Sequence, residues 1–216
     1  MADARTDGRV ARGDATRRLV LGRTMAIASV EGLEGLSIGR VAGELGLSKS
    51  GVFALFGSKE ELQLSTIRAA RAVFVQHVAL PTQEVPPGVG RVWRLCRAYL
   101  DYSRERVFPG GCFFSAVAAE FGGRDSPVRK AIAAARTEWL GYIGSVLGEA
   151  RDEGGVRADV DLGQLVFELS ALVETANVTS VLHGEDSGYE RAAVAVLARL
   201  RAVAGDPGEL DDGRDG

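Results

Sequence analysis

A short stretch near the N-terminus carries hydroxyl and amine side chains at spacings suited to binding an anion. Residues 37–62 read SIGRVAGELGLSKSGVFALFGSKEEL. Ser48 precedes an apolar-patterned segment and Lys49 opens it, so a hydroxyl, an ammonium group and free backbone N–H groups meet at one predicted helix start. Such groups bind phosphate oxygens, and a lysine also reaches base edges. The residue types indicate recognition of a polyanion.

The first of two short predicted helices begins after Ser37. This serine is a suitable N-cap, because its hydroxyl accepts a hydrogen bond from a backbone N–H of the first helical turn. Ile38, Val41 and Leu45 then share one side of the helix at spacings of three and four residues. Gly46 ends the helix and opens a short turn.

The second short helix, predicted over residues 49–56, presents the candidate contact groups. Val52 and Phe56 lie one turn apart and are expected to pack inward. Two short helices that cross steeply through a tight turn form a helix-turn-helix, whose second helix enters the major groove of DNA. A small residue such as Gly51 on the outward side lets the helix backbone approach the DNA closely.

A long fourth helix is predicted to restart at Ser58 and to reach Leu80. The sequence Ser58-Lys59-Glu60-Glu61 is a capping box, in which Ser58 accepts from the Glu61 N–H and the Glu61 carboxylate returns to the Ser58 N–H. Lys59 stands beside this helix start, where phosphate binding is favoured.

Residues 14–62 resemble the N-terminal module of the TetR family of transcriptional regulators. The family pattern has a second helix ending in a GLSKG-type sequence, a recognition helix and a SKEEL restart, and the chain reads GLSKS at 46–50 and SKEEL at 58–62. Late in the recognition helix, where the family carries aromatic residues and a histidine, the chain has Phe53, Ala54 and Leu55. Phe53 lacks a hydroxyl, and Leu55 offers only apolar contact to a thymine methyl group. The motif predicts DNA binding more firmly than it predicts an operator sequence.

The predicted DNA-binding residues lie at helix starts or on outward sides of the two short helices. They are Ser37, Arg40, Ser48, Lys49, Ser50, Gly51, Phe53, Ala54, Leu55 and Lys59. For the serines, the alternative to DNA contact is that they only cap helices. For Arg40 and Lys49, the alternative is a solvated charge with no DNA contact. The expected partner is double-stranded operator DNA.

Helical patterns without strand patterns continue to the C-terminal end, so the fold class is all-α with about nine helices. The helix-turn-helix belongs to a three-helix module, and the later helices form a bundle for ligand binding and dimerisation. The predicted divisions are a disordered N-terminal arm at 1–13, a helix-turn-helix DNA-binding domain at 14–60, a ligand-binding and dimerisation domain at 61–204, and a disordered acidic tail at 205–216.

Charge is distributed unevenly along the chain. Residues 1–75 hold 11 Lys and Arg against 8 Asp and Glu, and the remainder holds 15 against 21. A basic N-terminal part beside an acidic body is typical of a small DNA-reading module on a larger protein. No signal peptide is recognised, and no apolar run approaches the roughly eighteen residues of a membrane span. We therefore expect a cytoplasmic protein.

The resemblance implies a homodimer that binds a palindromic operator, and a repressor that a small-molecule inducer releases. The candidate ligand-binding residues are aromatic: Phe74, Trp93, Tyr99, Phe113, Trp139 and Tyr142. For each of them, packing in the core is the alternative. The candidate dimer-interface residues are apolar and lie on the last two predicted helices: Leu165, Leu169, Val173, Val196, Leu197 and Leu200.

Other functions are open alternatives at this stage. A helical small-molecule carrier or interaction module that no longer binds DNA is compatible with Ala54 and Leu55. An enzyme is not expected, because no spacing commits the acidic residues of the apolar helices to catalysis: Glu120, Glu138, Glu168 and Glu174. No cofactor or metal is expected, since His77 and His183 stand apart from other ligand types. Cys112 is either a buried apolar residue or a thiol sensor.

Overall fold

In the computed structural model, residues 3–123, 125–206, 208 and 210 are described, and helices make up most of this part of the chain. The α-helices, in chain order, are α1 (Asp3–Glu31), α2 (Ile38–Glu44), α3 (Lys49–Phe56), α4 (Lys59–Phe74), α5 (Val89–Arg104), α6 (Phe113–Phe121), α7 (Pro127–Asp152), α8 (Leu162–His183) and α9 (Ser187–Val203). Extended pairing among these residues is limited to two isolated bridges. The predicted all-α fold is confirmed.

Helix α1 begins at Asp3, well before its predicted start near Asp14. The segment predicted as a disordered arm is therefore helical from residue 3 onward, while residues 1 and 2 lie outside the described residues. The segment contains Gly8 and Gly13, and glycine costs a helix about 1 kcal/mol relative to alanine. The residues around them are mostly compatible with helix, and the helix continues through both glycines.

The acidic tail predicted at 205–216 lies mostly outside the described residues. Leu210 is an exception, because its side chain is buried and its backbone carbonyl accepts a 2.9 Å hydrogen bond from Nη2 of Arg201 on α9. This end of the described chain is therefore held against α9.

Contacts divide the chain into two compact units. The first unit comprises Met1–Ala72 and Phe108–Ala133, and the second comprises Val73–Val107 and Ala134–Gly216. Within the first unit α6 packs against α1, so a segment far along the sequence joins the N-terminal helices. The domain boundaries set out above stay a prediction.

The core of the first unit holds the two short helices in place. Its buried side chains come from α1, α2 and α3 and include Val20, Ile27, Val41, Val52 and Phe56. Full burial of each such side chain contributes about 1.5–3 kcal/mol. Because α2 and α3 are short, a few of these contacts determine their orientation.

Serine caps begin three helices of the first unit, as predicted. Ser37 Oγ accepts from the Arg40 N–H and Ser48 Oγ from the Gly51 N–H, each at 3.1 Å. Ser58 Oγ accepts from the Glu61 N–H at 3.0 Å, which is half of the predicted capping box. In place of the other half, the Glu61 carboxylate accepts from Ser65 Oγ at 3.1 Å and pairs with Arg68.

The predicted fourth helix changes form before it reaches Leu80. After Phe74 the chain forms a π-helical turn over Val75–Ala79 and a 3₁₀ turn over Leu80–Thr82. Pro81 has no N–H to donate to an earlier carbonyl, and the Leu80 N–H bonds to Val75 O, five residues back. The proline thus explains why the regular helix does not continue.

In the second unit, α5, α8 and α9 pack together around an apolar core. Asp161 caps α8 by accepting from the Gln164 N–H at 3.1 Å. Among the described residues, α8 is the one helix long and apolar enough to cross a membrane by length and composition, with a mean hydropathy of 1.4 over the tested window. Core helices of other proteins meet the same criterion, and α8 packs against α5 and α9.

Candidate nucleic-acid interface

Helix α3 turns its two large apolar anchors inward and its small and polar residues outward. Val52 and Phe56 are buried, as predicted. Lys49, Ser50, Gly51 and Ala54 are exposed, together with Phe53. The side chain of Leu55 is half-buried, which reduces the apolar surface that it offers for contact with a base. The outward side therefore combines one cation, small residues and one exposed ring.

Lys49 differs from the other lysines of the chain. Lysine occurs only at positions 49, 59 and 130. Lys59 pairs with Glu34 at 3.1 Å, and Lys130 pairs with Asp125 at 3.3 Å. Lys49 makes no ion pair or hydrogen bond within the part of the chain that the structure describes. Its ammonium group is therefore available to a phosphate or a base edge without breaking an internal pair.

Arg40, a predicted DNA contact, lies in an ion-pair network that joins α1 to α2. Its guanidinium binds both carboxylate oxygens of Glu31 at 2.6 Å and Oε1 of Glu44 at 2.9 Å. Glu44 also pairs with Arg23 at 2.5 Å. The hydrogen bonds that Arg40 donates to Glu31 and then to Glu44 raise the pKa of Arg40, and the same bonds lower the pKa of each carboxyl. Arg40 therefore holds the two helices together, and its positive charge is already paired with two carboxylates.

Lys59 is likewise occupied with positioning. Its Nζ donates to the Glu34 carbonyl oxygen at 2.8 Å in addition to pairing with the Glu34 carboxylate. The start of α4 is thereby fastened to the loop between α1 and α2. Ser37 and Ser48 use their hydroxyls as caps, so among the predicted cations and hydroxyls Lys49 stands out as uncommitted.

Arg17 on α1, which the sequence reasoning missed, fixes the end of α3. Its Nη1 donates to the Leu55 carbonyl oxygen at 2.8 Å and its Nη2 to Ser65 Oγ at 3.1 Å. The guanidinium also lies 4.6 Å from the ring centroid of Phe56. A signal was present in the sequence, because Arg17 shares the buried side of α1 with Val20.

An open groove of about 540 Å³ lies beside α3 in the first unit. Its lining comes from α1 and from the turn and helix that follow α2: Arg12, Gly13, Thr16, Leu47, Ser48, Gly51, Val52 and Leu55. Helix α1 therefore contributes surface next to the start of α3.

Glu120 on α6 joins the same unit from a distant part of the sequence. Its carboxylate accepts from the backbone N–H of Leu33 and from that of Glu34, each at 2.8 Å. Gly32 lies beneath this carboxylate, since an added Cβ would stand 2.6 Å from Oε2 of Glu120. Gly32 also has a φ of 80°, which glycine adopts without steric cost. Helix α6 is thus anchored to the loop that leads into α2.

The comparison with known families decides the classification. The family model for the tetracyclin repressor-like C-terminal domain matches residues 88–196, about half of the chain. The chain belongs to the TetR family. No curated protein sequence matches it.

Solved structures with the same fold as this chain include two TetR-family regulators. A TetR transcriptional regulator from Chloroflexus aurantiacus J-10-FL is 22% identical, with 90% of this chain and 98% of that chain covered and a TM-score of 0.83. A TetR-family regulator from Streptomyces coelicolor is 25% identical, covering 87% and 95%, with a TM-score of 0.73. AibR, in complex with isovaleryl coenzyme A and operator DNA, is 17% identical, covering 88% and 98%, with a TM-score of 0.66.

Three of the predicted ligand-binding residues meet in the second unit of this TetR-family chain. The Phe74 ring stands edge-on to Trp139 at a centroid distance of 5.0 Å, and Tyr99 stacks on Trp139 at 5.8 Å. Tyr102, which was not predicted, joins them at 5.4 Å from Phe74, with His77 6.3 Å from Tyr102. The spacing of Tyr99 and Tyr102, three residues apart on one helix, was the available signal.

The other predicted ligand residues lie elsewhere. Phe113 belongs to the first unit, where it packs against Phe108 at a centroid distance of 5.7 Å. The Tyr142 hydroxyl lies 3.4 Å from the Ala79 carbonyl oxygen, at the end of the π-helical turn. Trp93 is half-buried on α5. The structure therefore brings together a smaller aromatic group than the sequence suggested.

The predicted dimer-interface residues are mostly core residues of the single chain. Leu165, Leu169, Val173, Val196 and Leu200 are at most 1% exposed, and Leu197 is half-buried. They fill the space between α5, α8 and α9, so little of their surface remains for a second copy. The large apolar side chains that α8 and α9 do expose are Phe167, Val178, Val181, Leu182 and Val194.

Three of the four acidic residues considered for catalysis, Glu120, Glu168 and Glu174, have separate partners. Glu168 pairs with Arg199 on α9, which lowers the pKa of the Glu168 carboxyl, and Glu174 pairs with Arg136 at 2.8 Å. Glu120 binds backbone N–H groups in the other unit. Each of these three carboxylates has a structural explanation.

Proposed function

We propose that this TetR-family chain is a ligand-responsive transcriptional repressor that binds a palindromic operator as a homodimer. The single observation that carries the proposal is the exposed side of α3, where Lys49 has no internal ion pair among the described residues. AibR, which has the same fold, is known with operator DNA and isovaleryl coenzyme A, and this likeness supports both partners. A repressor of this kind acts in the cytoplasm, where the DNA is.

The DNA contact is made chiefly through charge and close approach. Lys49 supplies a free ammonium group. Ser50 and Gly51 beside it are small, so the helix backbone can approach the DNA closely. Arg40 and Lys59 instead hold the helix-turn-helix together through carboxylates and carbonyls. Contacts between a charged side chain and the DNA backbone position a protein on DNA. Recognition of bases then depends on the few side chains of α3 that reach the groove.

The homodimer is formed by the exposed apolar side of α8 together with α9. Only 39% of the most apolar window of α8 is buried in the single chain. Phe167, Val178 and Leu182 recur at spacings that place them along one side of the helix, and each is more than half exposed. Apolar patches of this extent on a protein surface mark interfaces, and a two-fold axis presents two α3 helices to the two halves of a palindrome.

Ligand response is transmitted through α6. A ligand in the second unit acts on α5, and the segment after α5 leads directly into α6, whose Glu120 holds the loop before α2. A change in the position of α6 therefore alters the placement of α2 and α3. The coupling is reciprocal, so a ligand that weakens DNA binding is itself bound less tightly when DNA is present.

The proposal is tested by measuring binding of the chain to the DNA upstream of its own gene at two salt concentrations. A repressor of this class binds tightly at low salt and loses affinity steeply as salt rises, because phosphate contacts release counterions. A ligand screen by thermal shift then identifies compounds that raise the melting temperature, and those compounds should release the DNA. Absence of DNA binding at low salt would instead favour a helical small-molecule carrier.

A further inference from the structure

Arg106 has a backbone conformation that is costly for an arginine. Its φ is 52°, and it is the one residue other than glycine with a positive φ in the described part of the chain. It follows α5, where the Arg106 N–H bonds to Ser103 O at 3.3 Å and the Val107 N–H bonds to Tyr102 O at 3.4 Å. This hydrogen-bond pair is a Schellman motif, in which glycine is the preferred residue at the left-handed position. An arginine thus occupies a position where glycine would fit with less strain.

The side chain of Arg106 is also unusual. Its Nη1 atom is buried and has no hydrogen-bond partner among the described residues. Buried donors are nearly always paired, and an arginine offers them in a planar fork that matches a carboxylate. Strain in the backbone and an unused buried donor on the same residue are independent observations. Together they indicate that the guanidinium binds something that is not part of this chain.

Three further donors in the same unit share this property, one of them being Ser180 Oγ on α8. Ser103 Oγ and Trp139 Nε1 are buried without a partner in the described residues. Ser103 is fully buried and lies one turn before Arg106. The neighbouring acidic residues do not meet this need: Glu105 is exposed and makes no ion pair among the described residues, and Asp101 is paired with Arg97 at 3.2 Å and with Arg104 at 2.9 Å.

An apolar surface accompanies these donors. Trp139 stands in the aromatic cluster of the second unit, 5.0 Å from the Phe74 ring and 5.8 Å from the Tyr99 ring. Tyr99 and Ser103 are four residues apart on α5 and therefore share one side of that helix. Donors and aromatic rings thus occur on the same elements, which suits a molecule with a charged end and an apolar body.

We infer that the second unit binds an amphipathic organic carboxylate, whose carboxylate is received by Arg106 and Ser103 and whose apolar body packs against Trp139. This inference names the chemical class of the inducer and so rests on the proposed ligand-responsive function. An arginine–carboxylate pair in a buried site is strong and directional, and it discriminates the acid from its neutral amide.

The test compares carboxylates with matched amides on the full chain. Octanoate and phenylacetate are added at constant ionic strength, with octanamide and phenylacetamide as neutral controls, and melting temperature is measured. The acids should raise the melting temperature and the amides should not. In a Trp93→Phe background, the fluorescence of Trp139 should change on addition of the acids. Equal effects of acid and amide, or no effect of either acid, would overturn the inference.

The variant Arg106→Gly separates a binding role from a structural one. Glycine relieves the strained backbone, so the unliganded variant should melt at the same temperature as the wild type or higher. Its affinity for the effective acid, measured by calorimetry, should fall at least about tenfold. Ser103→Ala should cause a smaller loss. A marked drop in the melting temperature of unliganded Arg106→Gly, or unchanged affinity for the acid, would contradict the assignment.

Failure of this inference is distinguishable from failure of the proposed function. If the wild type binds its upstream DNA and only neutral compounds release it, the repressor function is supported and the carboxylate site is contradicted. If the acids stabilise the wild type through Arg106 but no DNA is bound at low salt, the carboxylate site is supported and the repressor function is contradicted.

Discussion

Glu120 accepts a 2.8 Å hydrogen bond from the backbone N–H of Leu33, a residue 87 positions away in the sequence. The same carboxylate accepts from the next N–H, so a single side chain of α6 pairs two donors of the loop before α2. Leu33 is fully buried, and its N–H would otherwise need another partner. This arrangement ties the placement of the helix-turn-helix to the position of α6.

Replacing Glu120 should loosen this connection. Glu120→Ala leaves two backbone N–H groups without their acceptor and should lower the free energy of unfolding by about 1–2 kcal/mol. DNA binding should weaken as well, because the loop before α2 is no longer held. Urea unfolding and DNA titration measure the two effects, with the exposed Glu153→Ala as the control. Equal behaviour of the two variants would contradict the role of Glu120.

Gly32 provides a second test of the same contact. Gly32→Ala introduces a Cβ 2.6 Å from the Glu120 carboxylate and a side chain at a φ of 80°, so it should destabilise the chain by roughly 1–3 kcal/mol. In a Glu120→Ala background the clash disappears and only the backbone strain remains. The cost of Gly32→Ala, measured by urea unfolding, should therefore be smaller in that background. An equal cost in both backgrounds would show that the carboxylate does not crowd Gly32.

Arg17 should be needed for the orientation of α3. Arg17→Ala removes the donors to the Leu55 carbonyl oxygen and to Ser65 Oγ, and operator affinity should fall roughly tenfold. Arg18→Ala is the matched control, because it removes the same charge from the next position, where the side chain is exposed and, among the described residues, donates one local hydrogen bond, to Asp14 O. If both variants lose the same affinity, charge alone explains the effect and the positioning role is wrong.

The ion-pair network of Arg40 should make part of the stability depend on pH. Because Arg40 lowers the pKa of the Glu31 and Glu44 carboxyls in the folded state, their contribution is present above the ordinary value of 4.5 and is lost as pH falls through the lowered values. Arg40→Ala should therefore melt below the wild type at neutral pH, and the difference should narrow at about pH 3. Circular dichroism measures this, with the exposed Arg94→Ala as control. A difference independent of pH would rule out the carboxylates as its source.

An exposed apolar residue of α8 should control assembly. Leu182 is 76% exposed in the single chain, so Leu182→Asp should leave the helical content unchanged while the dimer dissociates. Because two-fold symmetry places the change twice in the interface, the dissociation constant should rise by at least ~100-fold. Sedimentation measures the assembly, and Leu80→Asp, at an exposed site outside α8 and α9, is the control. A dimer that persists in Leu182→Asp places the interface elsewhere.

Local patterns made the short helices predictable. The caps at Ser37, Ser48 and Asp161 depend on residues three positions apart, and the inward anchors Val52 and Phe56 on residues one turn apart. Such relationships are visible in a sequence because the helix itself fixes the geometry.

Contacts between residues far apart in the chain could not be predicted from the sequence. The bond from Arg17 to Leu55 spans 38 residues: the sequence pattern indicates which side of α1 carries Arg17, but it does not indicate the partner. The apolar residues of α8 occur on several sides of the helix, so sequence alone did not distinguish the side that packs within the chain from the side left exposed. Leu169 was therefore predicted at an interface and lies in the core. Only the packing of α5, α8 and α9 resolves that choice.

The most direct test of the central claim compares Lys49→Ala with Lys130→Ala in DNA binding across a range of salt concentrations. Both variants remove one exposed lysine per chain, but Lys130 pairs with Asp125 and lies on α7. If Lys49 contacts a phosphate in each half of a dimer, the slope of log affinity against log salt should become shallower by about 2 for Lys49→Ala. It should stay unchanged for Lys130→Ala. Identical slopes for the two variants would contradict a DNA interface centred on Lys49.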